Sequence, residues 1–170
     1  MHIDFLAAHQ HEALIALMHE MCVFYSDEDP VSRDDVRANL VDNLLAPYSP
    51  VRLVVAADAD GAVVGFAAIA LFHSLVAPTP RRRGQLLLKE LYVQQARQGK
   101  GIGRALMAWV ARHALERGCA RMEWHVSASN KPALAFYRAL NAQHVAGRLN
   151  YRLGGEYLAR LAEDGEDVDG

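Results

Sequence analysis

From Leu88 to Val110 the chain reads LKELYVQQARQGKGIGRALMAWV, a strand-like run that enters a glycine-rich turn and passes straight into an amphipathic pattern. That order suits anion binding. The first amides of a helix have no partner within it and together carry about half a positive charge, so a phosphate placed there supplies the missing acceptors. Gly99, Gly101 and Gly103 let the backbone approach a ligand without a Cβ in the way, with Lys100 and Ile102 between them and Gln98 and Arg104 flanking as side-chain donors. Two familiar nucleotide signatures do not fit. A dinucleotide G-x-G-x-x-G read from Gly99 or Gly101 would need glycine at Arg104 or Leu106, and a Walker A loop would need Ser or Thr where Gly101 follows Gly99-Lys100. What is left is Gln98-x-x-Gly101-x-Gly103. The eight histidines include no His-Glu-x-x-His pair, so solvated or core roles are expected of them and no metal site.

The elements that must position this turn follow from periodicity. Leu14, Leu17, Met18 and Met21 repeat at the helical period and predict a helix from about residue 8 to 25, which Pro30 bars from continuing. Ser32 followed by Asp34 and Asp35 is an N-terminal cap pattern for a second helix reaching about Leu45, closed by Pro47 and Pro50. Two β-rich runs, 51–58 and 62–72, flank Ala59-Asp60-Gly61 and predict a hairpin. A further strand is expected at 85–93, a helix through Ile102, Leu106, Trp109 and Val110 to Gly118, and a strand at 120–126. Asn130-Lys131-Pro132 starts a helix to Leu140, residues 143–153 read as a final strand, and GEYLARLA adds a short helix. The expected organisation is one domain over 1–162 followed by a mobile acidic tail at 163–170.

The glycine pattern resembles the Q/R-x-x-G-x-G/A signature of the GNAT superfamily of N-acetyltransferases, which move acetyl from acetyl-CoA to amines. Leu91-Tyr92-Val93 stands where that family's fourth strand ends, and NKPALAFYRALNA is similar to its second motif, N-x-x-A-x-x-F-Y. Both motifs at the expected separation make the likeness specific. The stretch from His125 to Ala162 resembles the spermidine/spermine and thialysine branch, whose early helix ends in a Tyr-rich acidic segment, here Phe24 to Asp29. The resemblance implies an α/β (α+β) GNAT fold, with a mixed, mostly antiparallel sheet splayed between strands 4 and 5 and helices on both faces. It also implies that the CoA pyrophosphate sits on the amides from Gln98 to Arg104. The pantetheine arm would pair with the backbone of Leu91, Tyr92 and Val93 as an extra strand does. Asn130 would bond the cofactor arm, with a helix cap as the alternative reading, and Arg138 would reach the nucleotide phosphate.

In the same resemblance Tyr137 protonates the leaving thiolate, since a phenol with a reference pKa of about 10 is protonated at neutral pH; the alternative is a core aromatic beside Phe136. The base is open. Relatives often carry glutamate where Lys89 stands here, and Glu90 next to it points to the opposite face of a regular strand unless a bulge re-aims it. Glu90 ranks first, then a water chain with Tyr25 or His73, then a neutral Lys89. Tyr25, Asp27, Glu28 and Lys89 are the candidate substrate contacts. A small primary amine (polyamine, diamine or lysine-like) is the expected acceptor, with a protein N-terminus or lysine as the alternative and a CoA-binding module without turnover as a reading of another class. A homodimer is compatible with the family's habit.

Composition narrows the remaining classes. At 52% hydrophobic and 22% charged residues the chain is far from the disordered regime. Net charge is −2, but the last eight residues hold five acids, leaving 18 basic against 15 acidic residues elsewhere, too mild a balance to expect nucleic acid. Arg81-Arg82-Arg83, between Pro80 and Gly84, reads as a solvated loop. The longest apolar run, Ala62 to Phe72, falls short of the roughly 18–20 residues a bilayer needs, so no membrane span is expected. MHIDFLAAHQHEAL lacks the pattern of a secretory leader, and the two cysteines, Cys22 and Cys119, are too few for a disulfide framework, so a cytoplasmic protein with buried thiols is expected.

Overall fold

The structure, a computed structural model, describes residues 1–25, 30–75 and 84–164. Two compact units make it up, Met1–Ser129 and Asn130–Gly170. In the first unit β1 (His2–Phe5) leads through a 3-10 turn into α1 (His11–Tyr25), then α2 (Arg33–Ala38), β2 (Arg52–Ala57), β3 (Val63–His73), β4 (Gly84–Val93), α3 (Ile102–Glu116) and β5 (Cys119–Glu123). The strands form one sheet in the order β1-β2-β3-β4-β5. Its first three pairings are antiparallel and β4–β5 is parallel.

Helices cover both faces. Leu14, Ile15, Leu17 and Met18 of α1, with Val36 of α2 and Leu40, pack on Leu53, Val55, Phe66, Ala68 and Tyr92. Leu14 and Leu40 are fully buried, and each such side chain is worth about 1.5–3 kcal/mol over exposure. On the opposite face α3 applies Ile102, Leu106 and Val110; a Cβ on Gly65 would stand 3.1 Å from Leu106 Cδ1 and 3.2 Å from Ile102 Cγ2, so glycine there permits the close approach. Phe5 of β1 meets Trp109 of α3 edge-on, ring centres 5.1 Å apart.

Local signals place most boundaries. Ser32 and Asp35 form a reciprocal capping box, Asp35 N donating to Ser32 Oγ at 3.1 Å and Ser32 N to Asp35 Oδ2 at 3.0 Å. The expected second helix is α2 followed by a π-helical turn, Asn39–Leu44, closed by Leu45 N donating to Leu40 O at 2.9 Å. β1 has no counterpart in the sequence reading. Its four residues, HIDF, alternate polar and apolar over too short a run to mark a strand by themselves, and they become one through their partners, from His2↔Ala57 to Phe5↔Val54.

In the second unit α4 (Lys131–Ala139) ends in a Schellman motif. Asn141 takes φ 58°, Asn141 N donates to Arg138 O, and Ala142 N donates to Tyr137 O. After it the expected strand at 143–153 does not form: no strand is present there. Gly147 turns the backbone to φ 81°, and Val145, Leu149 and Tyr151 are exposed, so no buried face drives pairing. Helix α5 (Glu156–Asp164) follows, as GEYLARLA predicts, and Glu156 pairs with Arg160 one turn on. Among the described residues no helix is long and apolar enough to cross a membrane.

Candidate active site

The glycine turn is built as its residues dictate. From the end of β4, Gln94 N donates to Val64 O at 3.0 Å, and a 3-10 turn covers Gln95–Arg97. Arg97 pairs with Asp58 at 3.2 Å, holding the turn to the β2–β3 hairpin. Gly101 then takes φ 82°, a left-handed conformation that costs an L side chain roughly 1–2 kcal/mol, and caps α3 without a side chain. Ala105 N, at 3.0 Å from Gly101 O, closes the first helical turn, so the amides of Ile102, Gly103 and Arg104 precede any intrahelical acceptor. Gly99, Lys100, Gly101 and Arg104 are exposed, and nothing stands within 4 Å of a Cβ at Gly99 or Gly101. An anion has room at the positive end of α3.

Gln98 is placed differently from its expected role as a donor to that anion. Its Nε2 donates to Val93 O at 3.1 Å. Because Gln94 N faces β3, the carbonyl of the same trans peptide, Val93 O, points away from β3 toward the other edge of β4. Among the described residues no strand pairs with that edge beyond Leu87: β5 pairs with Gly84 to Leu87, and the two strands then part. Leu91, Tyr92 and Val93 thus lie on the splayed stretch, where backbone groups are available to an extended ligand. Tyr92 itself is buried toward α1.

A β-bulge resolves the placement of Glu90. Ala68 pairs with Glu90 and Ile69 with Leu88, so Lys89 is the extra residue, exposed and without a partner in the ladder. Leu86 and Leu88 therefore stay on the α3 side with Ile69, while Glu90 and Tyr92 share the α1 side with Ala68 and Phe66. Glu90 is half-buried there. Burial pushes its carboxyl above the ordinary range, and a hydrogen bond from the Leu91 amide and the Lys89 ammonium pull the other way. Across from it on α1, the Cys22 thiol is raised by burial and by the Glu90 charge.

Beside this pair, Glu20 of α1 accepts from Tyr92 Oη at 2.9 Å and from Gln95 N at 2.8 Å, both on Oε1. Burial, then the Glu20 bond and charge, then Tyr25, hold the Tyr92 phenol far above its usual value. Tyr25 ends α1, half exposed and edge-on to Phe24 with centres 5.0 Å apart. His73 pairs with Gly84, six residues along β4 from Glu90 or about 20 Å of strand, which separates it from a water chain at Glu90. Sequence reasoning missed Glu20, because nothing local marks which polar residue of α1 faces β4; Cys22, expected as a buried thiol, is only part-buried. Asp27, Glu28 and the Arg81 to Arg83 run lie outside the described residues.

In the second unit Asn130 is the N-cap of α4. Its Oδ1 accepts from Ala133 N at 3.1 Å, so a contact to a cofactor would fall to its Nδ2. Tyr137 is half-buried on α4 with its ring centre 5.2 Å from Phe136, and Arg138 next to it is exposed.

Comparison with known proteins agrees with this geometry. The thialysine N-epsilon-acetyltransferase of Bos taurus is 35% identical over 80 residues, 45% of this chain and 47% of that protein. The mycothiol acetyltransferase of Clavibacter michiganensis is 33% identical over 117 residues, 68% of this chain and 35% of that protein. The chain thus spans between a third and a half of the length of these curated relatives. An integron cassette protein from the mobile metagenome of V. cholerae superposes with a TM-score of 0.85 at 28% identity, covering 95% of this chain and 97% of that one. The family model for the Acetyltransferase (GNAT) family matches residues 14–142, which contain the glycine turn, the bulged fourth strand and α4. With an uncapped helix start behind a splayed strand, and that match over most of its length, the chain belongs to the acetyltransferase (GNAT) family.

Proposed function

We propose that the chain transfers acetyl from acetyl-CoA to a primary amine of a small molecule, of polyamine, diamine or lysine-like type, by direct attack within a ternary complex. The observation that carries this reading is the continuity of two features: the open edge of β4 at Leu91 to Val93 runs into the uncapped amides at the start of α3. A chain with an amide-bearing arm and a pyrophosphate fits both. Acetyl-CoA supplies an acetyl group already activated as a thioester. The residues of this chain then have four tasks. Backbone groups of Leu91 to Val93 align the arm, with Gln98 occupying the Val93 carbonyl as a competitor that the arm must displace or share. Amides from Ile102 to Arg104 hold the pyrophosphate, and Lys100 and Arg104 add positive charge at an exposed rim.

Glu90 takes a proton from the acceptor ammonium. Its raised proton affinity moves it toward the working pH, where a general base is most effective. The neutral nitrogen attacks the thioester carbon, the C–N bond forms, the C–S bond breaks, and Tyr137 gives its proton to the departing thiolate. Family resemblance assigns Tyr137, Asn130 and Arg138 their roles. A small amine is favoured by the names of the relatives, and by Glu20 and Glu90 lying on the α1 side of β4.

The test is release of free CoA thiol from acetyl-CoA against diamines, polyamines, lysine analogues, amino acids and short peptides. Turnover on one small-amine class is expected, with Tyr137→Phe lowering kcat while leaving KM for acetyl-CoA near its original value. Turnover confined to peptides would replace the small-molecule acceptor with a protein one. Binding of acetyl-CoA without turnover on any amine would overturn the catalytic reading in favour of a binding module.

A further inference from the structure

We propose that Glu20 is a positioning residue, fixing the entry of the anion-binding turn against the helix that borders Glu90; this rests on the acetyltransferase reading above. Within itself the turn from Gln94 to Gly101 is held by two backbone bonds, Arg97 N to Gln94 O at 2.8 Å and Gln98 N to Gln95 O at 3.2 Å. Two of its residues, Gly99 and Gly101, are in the left-handed region with no neighbour a Cβ would touch, so side-chain packing does not fix the backbone at those two positions. Beyond the two backbone bonds, four further hydrogen bonds among the described residues tie the turn to its surroundings: Gln94 N to Val64 O, Arg97 to Asp58, Gln98 to Val93 O, and Gln95 N to Glu20 Oε1. The first three tie the turn to its own strand and to the β2–β3 hairpin. The fourth ties it to α1.

That fourth contact is also the one shared with the strand. Glu20 Oε1 receives the Tyr92 hydroxyl at 2.9 Å and the Gln95 amide at 2.8 Å, so a single oxygen clamps the last buried side chain of β4 and the first residue of the 3-10 turn. Tyr92 is 3% exposed and packs on Phe66, and its backbone belongs to the open edge assigned to the cofactor arm. An acid so near an anion site works against the anion by charge, which makes geometry its contribution. A carbonyl oxygen in the same place would serve the two donors as well, whereas a methyl group would serve neither.

The experiment uses the full chain, with acetyl-CoA as the titrant in calorimetry and amide exchange measured at Gln95 without ligand. Glu20→Ala is expected to weaken acetyl-CoA about tenfold, the scale of one lost charge-assisted hydrogen bond, and to speed exchange at Gln95. Glu20→Gln is expected to restore binding to within about twofold of wild type, because its amide oxygen accepts from both donors. Wild-type affinity in Glu20→Ala would overturn the proposal while the acetyltransferase reading stood. So would Glu20→Gln behaving like Glu20→Ala. Failure of the wild-type chain to bind acetyl-CoA would overturn both.

Discussion

Replacing Glu90 with glutamine keeps the shape of the side chain and removes the proton acceptor, and its consequences differ with pH in two ways. A primary amine with a pKa of about 10.4 is neutral in roughly one molecule per thousand at pH 7.4, a deficit of about 4 kcal/mol that a base within the site must offset. A positioned general base contributes about 10²–10⁴-fold, so Glu90→Gln should lower kcat/KM at pH 7 by about a hundredfold. Near pH 10 the amine deprotonates unaided, and wild type and variant should converge. Wild-type activity should also fall on the acid side as pH drops through the carboxyl's value, which burial places above 4.5, and that limb should vanish in the variant. Stability should move the other way. Since folding raises the proton affinity of this carboxyl, the folded chain binds more protons here than the unfolded chain between 4.5 and its folded value. Its stabilising contribution is complete below that window and lost as pH rises through it. Glu90→Gln should therefore raise Tm at pH 7.5 and leave it unchanged near pH 4. The assays are thiol-release kinetics from pH 5.5 to 10 and thermal unfolding at the two pH values. A rate ratio constant across pH, or a Tm that falls at pH 7.5, would refute the assignment of Glu90 as a half-buried base.

Other consequences follow from single sites. Gly101→Ala forces an L residue to φ 82° with no clash, so its cost is conformational: about 1–2 kcal/mol, or roughly 2–8 °C in Tm, with weaker CoA binding by calorimetry. Gly101→Asn should cost less, since asparagine tolerates the left-handed region, and equal damage from both would mean that space rather than backbone angle decides. His113 is buried against Phe5 and Trp109, and burial followed by Arg117 holds its imidazole below its ordinary 6.5, with Arg52 in the same direction and Glu116 opposing. The unfolded chain therefore binds the proton first, and stability is lost as pH falls below about 6.5. His113→Phe should flatten that part of the denaturation midpoint's pH profile; an unchanged slope would place the titration elsewhere.

Much of the architecture is legible from neighbours in sequence. The apolar spacing of α1, the Ser32 and Asp35 box, the Asp-Gly turn of the hairpin and the glycines before α3 each encode their conformation within a few residues, because helical period, cap chemistry and left-handed angles are local properties. Family membership was legible for the same reason, as both of its motifs are short and contiguous. Residues 143–153 mark the limit from one side: they alternate like a strand, yet Gly147 and the exposure of Val145, Leu149 and Tyr151 leave them outside the sheet. β1 marks it from the other, a strand made by its partner. Tertiary structure alone decided the residues around the proposed base. Whether Glu90 faces α1 depends on a bulge at Lys89, which is a mismatch between two strands and belongs to neither sequence segment by itself. The Glu20 clamp joins residues 72 and 75 positions apart. Contacts of that range arise once the sheet has set its register, so the composition of α1 specifies that it packs, and the register of β4 specifies which of its polar residues meets the site.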